Sequence, residues 1–180
     1  MPRLFVAIDL PEGIKERLAG LCSGVAGARW VGREQFHLSL RFIGEVDGGL
    51  FEDVAEALKQ VSGPPLRLAL RGVGHFESGR VPRVLWVGVD GDDALVRLQA
   101  KIERRLQRLG IEPESRRYSP HVTLARLKES NRARVGAFLA QHQPFATEPF
   151  TVDAFHLFSS QLGRQGAIYR IEASYALEEA

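Results

Sequence analysis

Apolar residues recur along the chain with two periods, one typical of strands and the other of helices. The strand pattern covers residues 4–8, 36–43, 66–70, 84–89, 118–127, 150–158 and 167–177. The helical pattern covers about 11–25, 47–61, 92–109 and 131–141. Asp47 can cap the second of these helices, and Gly110 can end the third. Strands and helices mixed in this order predict an α+β protein.

The same order of elements occurs twice. Sliding the chain along itself until position 121 meets position 37 aligns His37-Leu-Ser-Leu with His121-Val-Thr-Leu. A nearly equal offset aligns the apolar run that begins at Leu4 with the run that begins at Leu85. A helical pattern follows each of these runs. Chance matches of a few residues are common, but a whole order of elements in register indicates an internal repeat.

The repeat predicts two similar lobes related by an approximate two-fold axis. Each lobe would be a small, mostly antiparallel sheet with helices on its outer side, and the active groove would lie between the lobes. We therefore predict one bilobal domain over residues 1–180, built from two overlapping repeats at about 4–90 and 84–177.

The two repeated histidines lie in strands whose polar side chains share one face. Because side chains alternate along a strand, His37, Ser39 and Arg41 are predicted to point one way and the leucines between them the other. His121 and Thr123 share a face in the same manner. A two-fold axis would set two imidazoles and two hydroxyls on opposite walls of one groove.

Paired imidazoles suit concerted acid–base catalysis, because one ring can be neutral and the other protonated near neutral pH. One ring can then take a proton from water while the other gives a proton to a leaving oxygen. Ser39 and Thr123 could donate hydrogen bonds to a phosphate, and Arg41 could balance its charge. We expect no metal and no cofactor, since the chain shows no ligand spacing typical of a zinc site.

Composition indicates the class of protein and its compartment, but it does not identify a binding partner. Its 44% hydrophobic and 26% charged residues are typical of a globular protein, and its net charge of +2 is too small to establish a polyanionic partner. No apolar run approaches the roughly 20 residues of a membrane-spanning helix. The single cysteine, Cys22, fits a reducing compartment. We expect a soluble, cytoplasmic monomer.

The two histidine motifs resemble those of a known family. His37-Leu-Ser-Leu-Arg-Phe-Ile-Gly-Glu and Tyr118-Ser-Pro-His-Val-Thr-Leu-Ala-Arg are similar to the two His-x-Thr-x signatures of the two-histidine phosphoesterases. Within them, the chain resembles the RNA 2′,3′-cyclic phosphodiesterases, also called LigT-like proteins or 2′-5′ RNA ligases. The segments Arg3-Leu-Phe-Val-Ala-Ile-Asp-Leu-Pro and Phe158-Ser-Ser extend the resemblance over nearly the whole chain. Ser39 stands where threonine is usual.

The resemblance implies hydrolysis of a terminal 2′,3′-cyclic phosphate on RNA to a 2′-phosphomonoester, with a reversible 2′-5′ joining reaction. It implies that His37 donates a proton to the departing O3′ and that His121 activates water. Ser39 and Thr123 would hold the phosphate. The resemblance also implies a phosphate contact for Arg126, although alternation puts Arg126 on the face opposite His121 unless a bulge turns the strand.

Two alternatives remain open on the sequence alone. The same chemistry could act on a small cyclic phosphate, such as an ADP-ribose cyclic phosphate or a cyclic nucleotide. The groove could instead belong to a non-catalytic RNA-binding module, although binding alone gives no reason for two matched histidines. Phe76 and Tyr118 are candidates for stacking on a terminal base, with a structural role as the alternative for each.

Overall fold

The secondary structure is taken from a computed structural model that describes residues 1–91, 93–128, 132–164 and 166–179. Over these residues the chain forms nine strands and four helices, with a short 3-10 turn at Arg33–Gln35. In chain order they are β1 (Arg3–Asp9), α1 (Glu12–Ala19), β2 (Ala28–Trp30), β3 (His37–Glu45), α2 (Gly48–Leu58), β4 (Leu66–Ser78), β5 (Val81–Gly91), α3 (Asp93–Arg108), β6 (His121–Leu127), α4 (Arg132–His142), β7 (Phe150–Val152), β8 (Ala154–Gly163) and β9 (Gly166–Ala176).

The strands form two antiparallel sheets. The order of the first sheet is β3-β1-β8-β9, and that of the second is β2-β6-β5-β4-β7. Helix α3 packs against β3, and α4 packs against β4 and β5. The predicted α+β class, with two lobes that are each built on a small antiparallel sheet, is confirmed.

Neither sheet is built from one predicted repeat alone. In the first sheet, β1 and β3 from the start of the chain are joined to β8 and β9 from its end. In the second sheet, β4 pairs with β5, where the two predicted repeats overlap, and β5 pairs with β6. Both halves of the chain therefore contribute strands to both lobes. The division into repeats describes the order of the elements along the chain, and it stays a prediction.

A continuous apolar core lies beneath both sheets, on the side that carries the helices. The alternate positions Leu38 and Leu40 in β3, and Val122 and Leu124 in β6, are at most 2% exposed. Burying apolar side chains of this size contributes about 1.5–3 kcal/mol each. Asp47 caps α2 as predicted, since its carboxylate accepts a hydrogen bond from the Leu50 N–H at 2.8 Å. In the described part of the chain, the helices are too short or too polar to cross a bilayer.

The strand that begins at Leu66 continues through the glycine-rich segment after Leu70, beyond the bound that the alternating pattern predicts. The segment continues β4 because it pairs with β5, and the register of that pair shifts between Leu70 and Val73. Gly72 lies at the shift with φ +71°, a conformation that favours glycine. A Cβ at Gly74 would lie 2.3 Å from the Trp86 ring, so glycine makes room there for the indole.

Other element boundaries also differ from the sequence pattern. Helix α1 ends at Ala19, whereas its apolar pattern continues to about residue 25. The apolar run 150–158 contains two strands, β7 and β8, which belong to different sheets. Periodicity does not reveal this change of sheet, because both strands are apolar on their inner faces. The predicted helix starts at residues 92 and 131 lie outside the described residues.

Candidate active site

The two lobes meet where β3 and β6 lie against each other. These strands belong to different sheets, yet Cα atoms of one come within 8 Å of Cα atoms of the other. His37 is the first residue of β3 and His121 is the first residue of β6. Each of the two histidines that the repeat singled out therefore begins one of two neighbouring strands.

Both imidazoles are held in the same way by the backbone. The Nδ1 of His37 lies 2.8 Å from the carbonyl oxygen of Gln35, and the Nδ1 of His121 lies 2.7 Å from that of Ser119. A carbonyl oxygen only accepts hydrogen bonds, so Nδ1 carries the hydrogen and donates it in each ring. The Nε2 atom is therefore the nitrogen that can exchange a proton with a substrate.

The His37 ring lies in an aromatic cluster on the first sheet. Its centroid is 5.0 Å from that of Phe5, 5.6 Å from that of Tyr169 and 6.3 Å from that of Phe158. Burial lowers the pKa of His37 below its usual value, and the hydrogen bond to the backbone and the charge of Asp9 only partly offset this. Protonation of His121 lowers the pKa of His37 further, as expected for two rings that face one site.

An ion pair between a buried lysine and an exposed carboxylate lies next to His37. The Lys15 Nζ is 2.9 Å from Asp9 Oδ1, and the Lys15 side chain is only 6% exposed. Asp9 is the direct cross-strand partner of His37 in the pairing of β1 with β3. Because Asp9 raises the pKa of His37 and Lys15 lowers it, the two charges oppose each other and burial is the leading effect.

His121 is flanked by aromatic rings of the second sheet. Its centroid lies 4.9 Å from that of Phe76, in an edge-on arrangement, and 6.3 Å from that of Trp86. Phe76 is 38% exposed. It therefore contacts His121 while keeping part of its ring accessible, and its predicted stacking on a base stays a prediction.

The two predicted hydroxyls occupy matching places. Ser39 and Thr123 each follow their histidine by two residues, and both are half-buried. Thr123 is paired with Trp86, whose ring lies near His121, which puts the hydroxyl and the imidazole on the same face. Within the described residues neither hydroxyl donates to a protein group, so both can donate to a phosphate.

Arg41 does not face this site, and the prediction from strand alternation is wrong for it. The register of β3 on β1 shifts between Ser39 and Arg41, which leaves Leu40 as an extra residue and turns the strand by one position. Arg41 is only 8% exposed, and its Nε lies 2.6 Å from the Oε2 of Glu103 on α3. Arg41 therefore connects β3 to the helical layer on the side away from the two histidines.

A matching bulge in β6 turns Arg126 toward the site. The register of β6 on β5 shifts between Thr123 and Ala125, so Leu124 is the extra residue. Leu124 and Ala125 are both fully buried, and Arg126 returns, exposed, to the face of Thr123. The charge of Arg126 also acts against the rise that burial causes in the pKa of Tyr169.

Phe42 is a residue of this face that strand alternation missed. It is 58% exposed and is the cross-strand partner of Phe5, whose ring packs against His37. It lies beyond the bulge in β3, as Arg126 lies beyond the bulge in β6. The signal that could have found it was the repeat, because the offset that aligns the two histidines also aligns Phe42 with Arg126.

Tyr118 joins the two half-sites through its hydroxyl. Its hydroxyl donates a hydrogen bond to the backbone carbonyl of Ser39 at 2.8 Å, and burial raises its pKa far above the usual value. The contact links the segment before β6 to β3. This contact supports the structural role considered for Tyr118, and its stacking on a base stays a prediction.

Comparisons with known proteins identify the family. The model of the 2′-5′ RNA ligase superfamily matches residues 5–164. The chain is 32% identical over 171 residues to the RNA 2′,3′-cyclic phosphodiesterase of Archaeoglobus fulgidus, which covers 93% of this chain and 96% of that protein. It is 37% identical over 160 residues to the protein of the same name from Aeropyrum pernix, which covers 86% of this chain and 91% of that one.

The overall fold is similar to that of a solved relative. The structure of E. coli LigT complexed with 3′-AMP superimposes with a TM-score of 0.81 at 24% identity, over 99% of this chain and 100% of that one. This likeness supports the two-lobed architecture. The family match covers most of the chain and both of its histidine motifs, and the chain therefore belongs to the 2′-5′ RNA ligase superfamily.

Proposed function

We propose that the protein hydrolyses the 2′,3′-cyclic phosphate at the 3′ end of RNA to a 2′-phosphomonoester. The observation that carries the proposal is the matched pair of imidazoles on adjoining strands. Each donates its Nδ1 hydrogen to the carbonyl two residues earlier and leaves Nε2 to the substrate. Relatives at 30–37% identity that span most of the chain are named RNA 2′,3′-cyclic phosphodiesterases, which supports the same reaction here.

The two rings divide the proton transfers of one displacement at phosphorus. Water attacks phosphorus as the bond to O3′ breaks, and the 2′ oxygen keeps the phosphate. His121 Nε2 takes the proton of the attacking water, and His37 Nε2 gives its proton to O3′. His37 ends neutral and His121 ends protonated, so exchange with solvent restores the pair.

The lowered pKa of His37 is compatible with its role as the acid. A low pKa makes the protonated ring a stronger acid, although it reduces the fraction of the free protein that is protonated. A phosphate bound between the rings adds negative charge beside His37. That charge favours the imidazolium form when the substrate is bound.

The remaining residues of the face would hold the substrate. Ser39, Thr123 and Arg126 would donate to the non-bridging oxygens of the phosphate, where negative charge increases during attack. The exposed ring of Phe42 would contact the terminal nucleoside, since aromatic side chains stack on bases without regard to sequence. Arg41 has no part in this site, because it is bound to Glu103.

The same groups could join two RNA ends. A ribose 5′-hydroxyl in place of water would lose its proton to His121, the bond from phosphorus to O3′ would break, and O3′ would take a proton from His37, so that the product has a 2′-5′ linkage. RNA ends with a cyclic phosphate are then the partner in both hydrolysis and joining. Location in the cytoplasm, a monomeric state and independence of metal ions and cofactors stay predictions.

Alanine variants of the two histidines test the proposal on an RNA oligonucleotide that ends in a 2′,3′-cyclic phosphate. A general acid or base contributes about 10²–10⁴-fold, so kcat of His37→Ala and of His121→Ala should each fall by such a factor. His75→Ala is the control, because the His75 ring is bonded to Glu77. Full activity of His121→Ala, or loss of the parent's activity in a metal chelator, would reject the proposal.

A further inference from the structure

Two arginines lie side by side on the face that carries Arg126. In the pairing of β2 with β6, Arg29 is directly opposite Arg126. The residues on either side of Arg29, Ala28 and Trp30, pack against the core. Because neighbours along a strand point to opposite faces, Arg29 points away from the core, and both arginines are exposed.

Among the described residues, no carboxylate compensates these two like charges. Like charges directly opposite across antiparallel strands are destabilising, since their Cβ atoms are only about 4.5–5.5 Å apart. Over residues 1–91, 93–128, 132–164 and 166–179, neither Arg29 nor Arg126 has a carboxylate partner. Two guanidinium groups on one face form a site for an anion, and arginine suits phosphate in particular.

The anion that fits this place is a second phosphate. A strand advances about 3.3 Å per residue, so the Cα of Arg126 lies roughly 10 Å along β6 from the Cα of Thr123. Thr123 is proposed to hold the reacting phosphate. Arg29 lies one strand farther out. An RNA end supplies a second phosphate, namely the phosphodiester on the 5′ side of its terminal nucleoside, whereas a nucleoside cyclic phosphate does not.

The pair also breaks the symmetry of the two lobes. Strand β2 lies beside β6 at the edge of the second sheet, but in the first sheet β3 is itself the edge strand. The position of β3 that matches Arg126 is Phe42, which has no charge. A bound RNA strand would therefore leave the site along the second lobe, where the positive charge lies.

We propose that Arg29, which lies one strand farther from the reacting phosphate than Arg126, binds the phosphodiester that joins the terminal nucleoside to the rest of the RNA, and so makes the site selective for RNA ends over small cyclic nucleotides. This inference rests on the proposed function. It assigns to Arg29 a role in choosing the substrate and none in the displacement at phosphorus.

Three substrates and one substitution test the inference. The substrates are a nucleoside 2′,3′-cyclic phosphate, the same compound with a 5′-phosphate, and a dinucleotide that ends in a cyclic phosphate. A hydrogen bond to a charged group contributes about 1.5–3 kcal/mol, so Arg29→Gln should lower the ratio of kcat/KM for the dinucleotide to that for the unphosphorylated nucleoside by about tenfold or more. The kcat/KM for the 5′-phosphorylated compound should fall as that for the dinucleotide does. In Arg29→Gln, the slope of log kcat/KM for the dinucleotide against log salt concentration should become less steep by about one.

Arg97→Gln is the matched control, because Arg97 is an exposed arginine on α3, in the helical layer. It should leave the ratio unchanged. An equal loss on all three substrates would show that Arg29 acts on the reacting phosphate and would overturn the inference, as would no loss on any of them. A parent protein that hydrolyses none of the three substrates would instead refute the proposed function, which keeps the two failures distinct.

Discussion

His37 and His121 each take their orientation from a backbone carbonyl two residues earlier in the chain. The sequence was enough to predict that each ring shares a strand face with a hydroxyl, that of Ser39 or Thr123. Strand alternation and the repeated histidine motif are both visible in the sequence. The carbonyl contacts could not be predicted, since they depend on how the backbone turns before each strand. The different burial of the two rings also depends on tertiary packing.

The ionisation of His37 can be measured directly. Because burial lowers its pKa, NMR titration of the imidazole carbons should give a value below about 6.5 in the free protein. Binding of a nucleoside 2′-phosphate should raise that value, since the anion favours the imidazolium form. A value at or above 6.5 in the free protein would contradict the assignment of burial as the leading effect.

The same shift has a consequence for stability. A histidine whose pKa is lower in the folded protein than in the unfolded chain binds its proton less readily when folded. Stability from this group is thus fully present above the unfolded pKa of about 6.5 and is lost as the pH falls from there toward the folded value. Thermal unfolding followed between pH 7.5 and 5.5 should show this decline, and His37→Gln should reduce it.

Each histidine-bearing strand has an extra residue directly after its hydroxyl residue, and this bulge decides which arginine lies on the face of the histidine. Strict alternation assigns Arg41 to the site and Arg126 to the opposite face, whereas the bulges at Leu40 and Leu124 reverse both assignments. A bulge is a property of the pairing between two strands, so the pattern of a single strand does not contain it. The repeat does indicate that the two strands should share such a feature.

Substitution of Arg41 separates a structural role from a phosphate contact. Arg41→Met leaves the Glu103 carboxylate, which is 15% exposed, without its ion-pair partner, so the free energy of unfolding in urea should fall by about 3 kcal/mol. The kcat/KM of the folded protein should change less than about threefold. The double variant Arg41→Met/Glu103→Met should recover much of the stability, because no buried charge then lacks a partner. A large loss of kcat/KM with unchanged stability would contradict the structural role.

The Tyr118 hydroxyl should act on the geometry of the site. Tyr118→Phe removes the hydrogen bond to the Ser39 carbonyl that links the segment before β6 to β3. We expect kcat to fall by about tenfold with little change in KM, because small displacements of reacting groups are costly while binding is largely kept. The loss of stability should be about 1 kcal/mol.

Tyr175→Phe is the matched control for Tyr118→Phe. The Tyr175 hydroxyl also donates to a backbone carbonyl, that of Ala55 in α2, at 2.8 Å. This hydrogen bond lies in the helical layer, so its removal should cost similar stability and leave kcat unchanged. Equal effects of the two substitutions on kcat would show that Tyr118 has no special role in positioning the site.

The two lobes are tied together by strands from both halves of the chain. The pairing of β1 with β8 brings the start and the end of the chain into one sheet. Strands β3 and β6 belong to different sheets, so each lobe carries one of the two histidines. The sequence revealed the repeated order of elements but not this exchange of strands. Which strands pair is decided by contacts between distant segments, and periodicity reports only on local ones.

This connectivity predicts that the lobes unfold together. Both tryptophans, Trp30 and Trp86, belong to the second sheet, so their fluorescence reports on that lobe. Phe155→Ala in β8 of the first sheet removes a fully buried ring and should cost about 3–5 kcal/mol. The tryptophan and circular dichroism transitions in urea should stay coincident in the parent and shift together in the variant. Separate midpoints would show that the lobes are independent.

The central claim is that the two imidazoles act on opposite sides of one phosphate. A dinucleotide cyclic phosphate with sulfur in place of O3′ tests it, because a thiolate has a low pKa and leaves without receiving a proton. His37→Ala should recover activity near that of the parent on the sulfur substrate, while His121→Ala should stay inactive on both substrates. Failure of His37→Ala to recover, or recovery of both variants, would contradict the account.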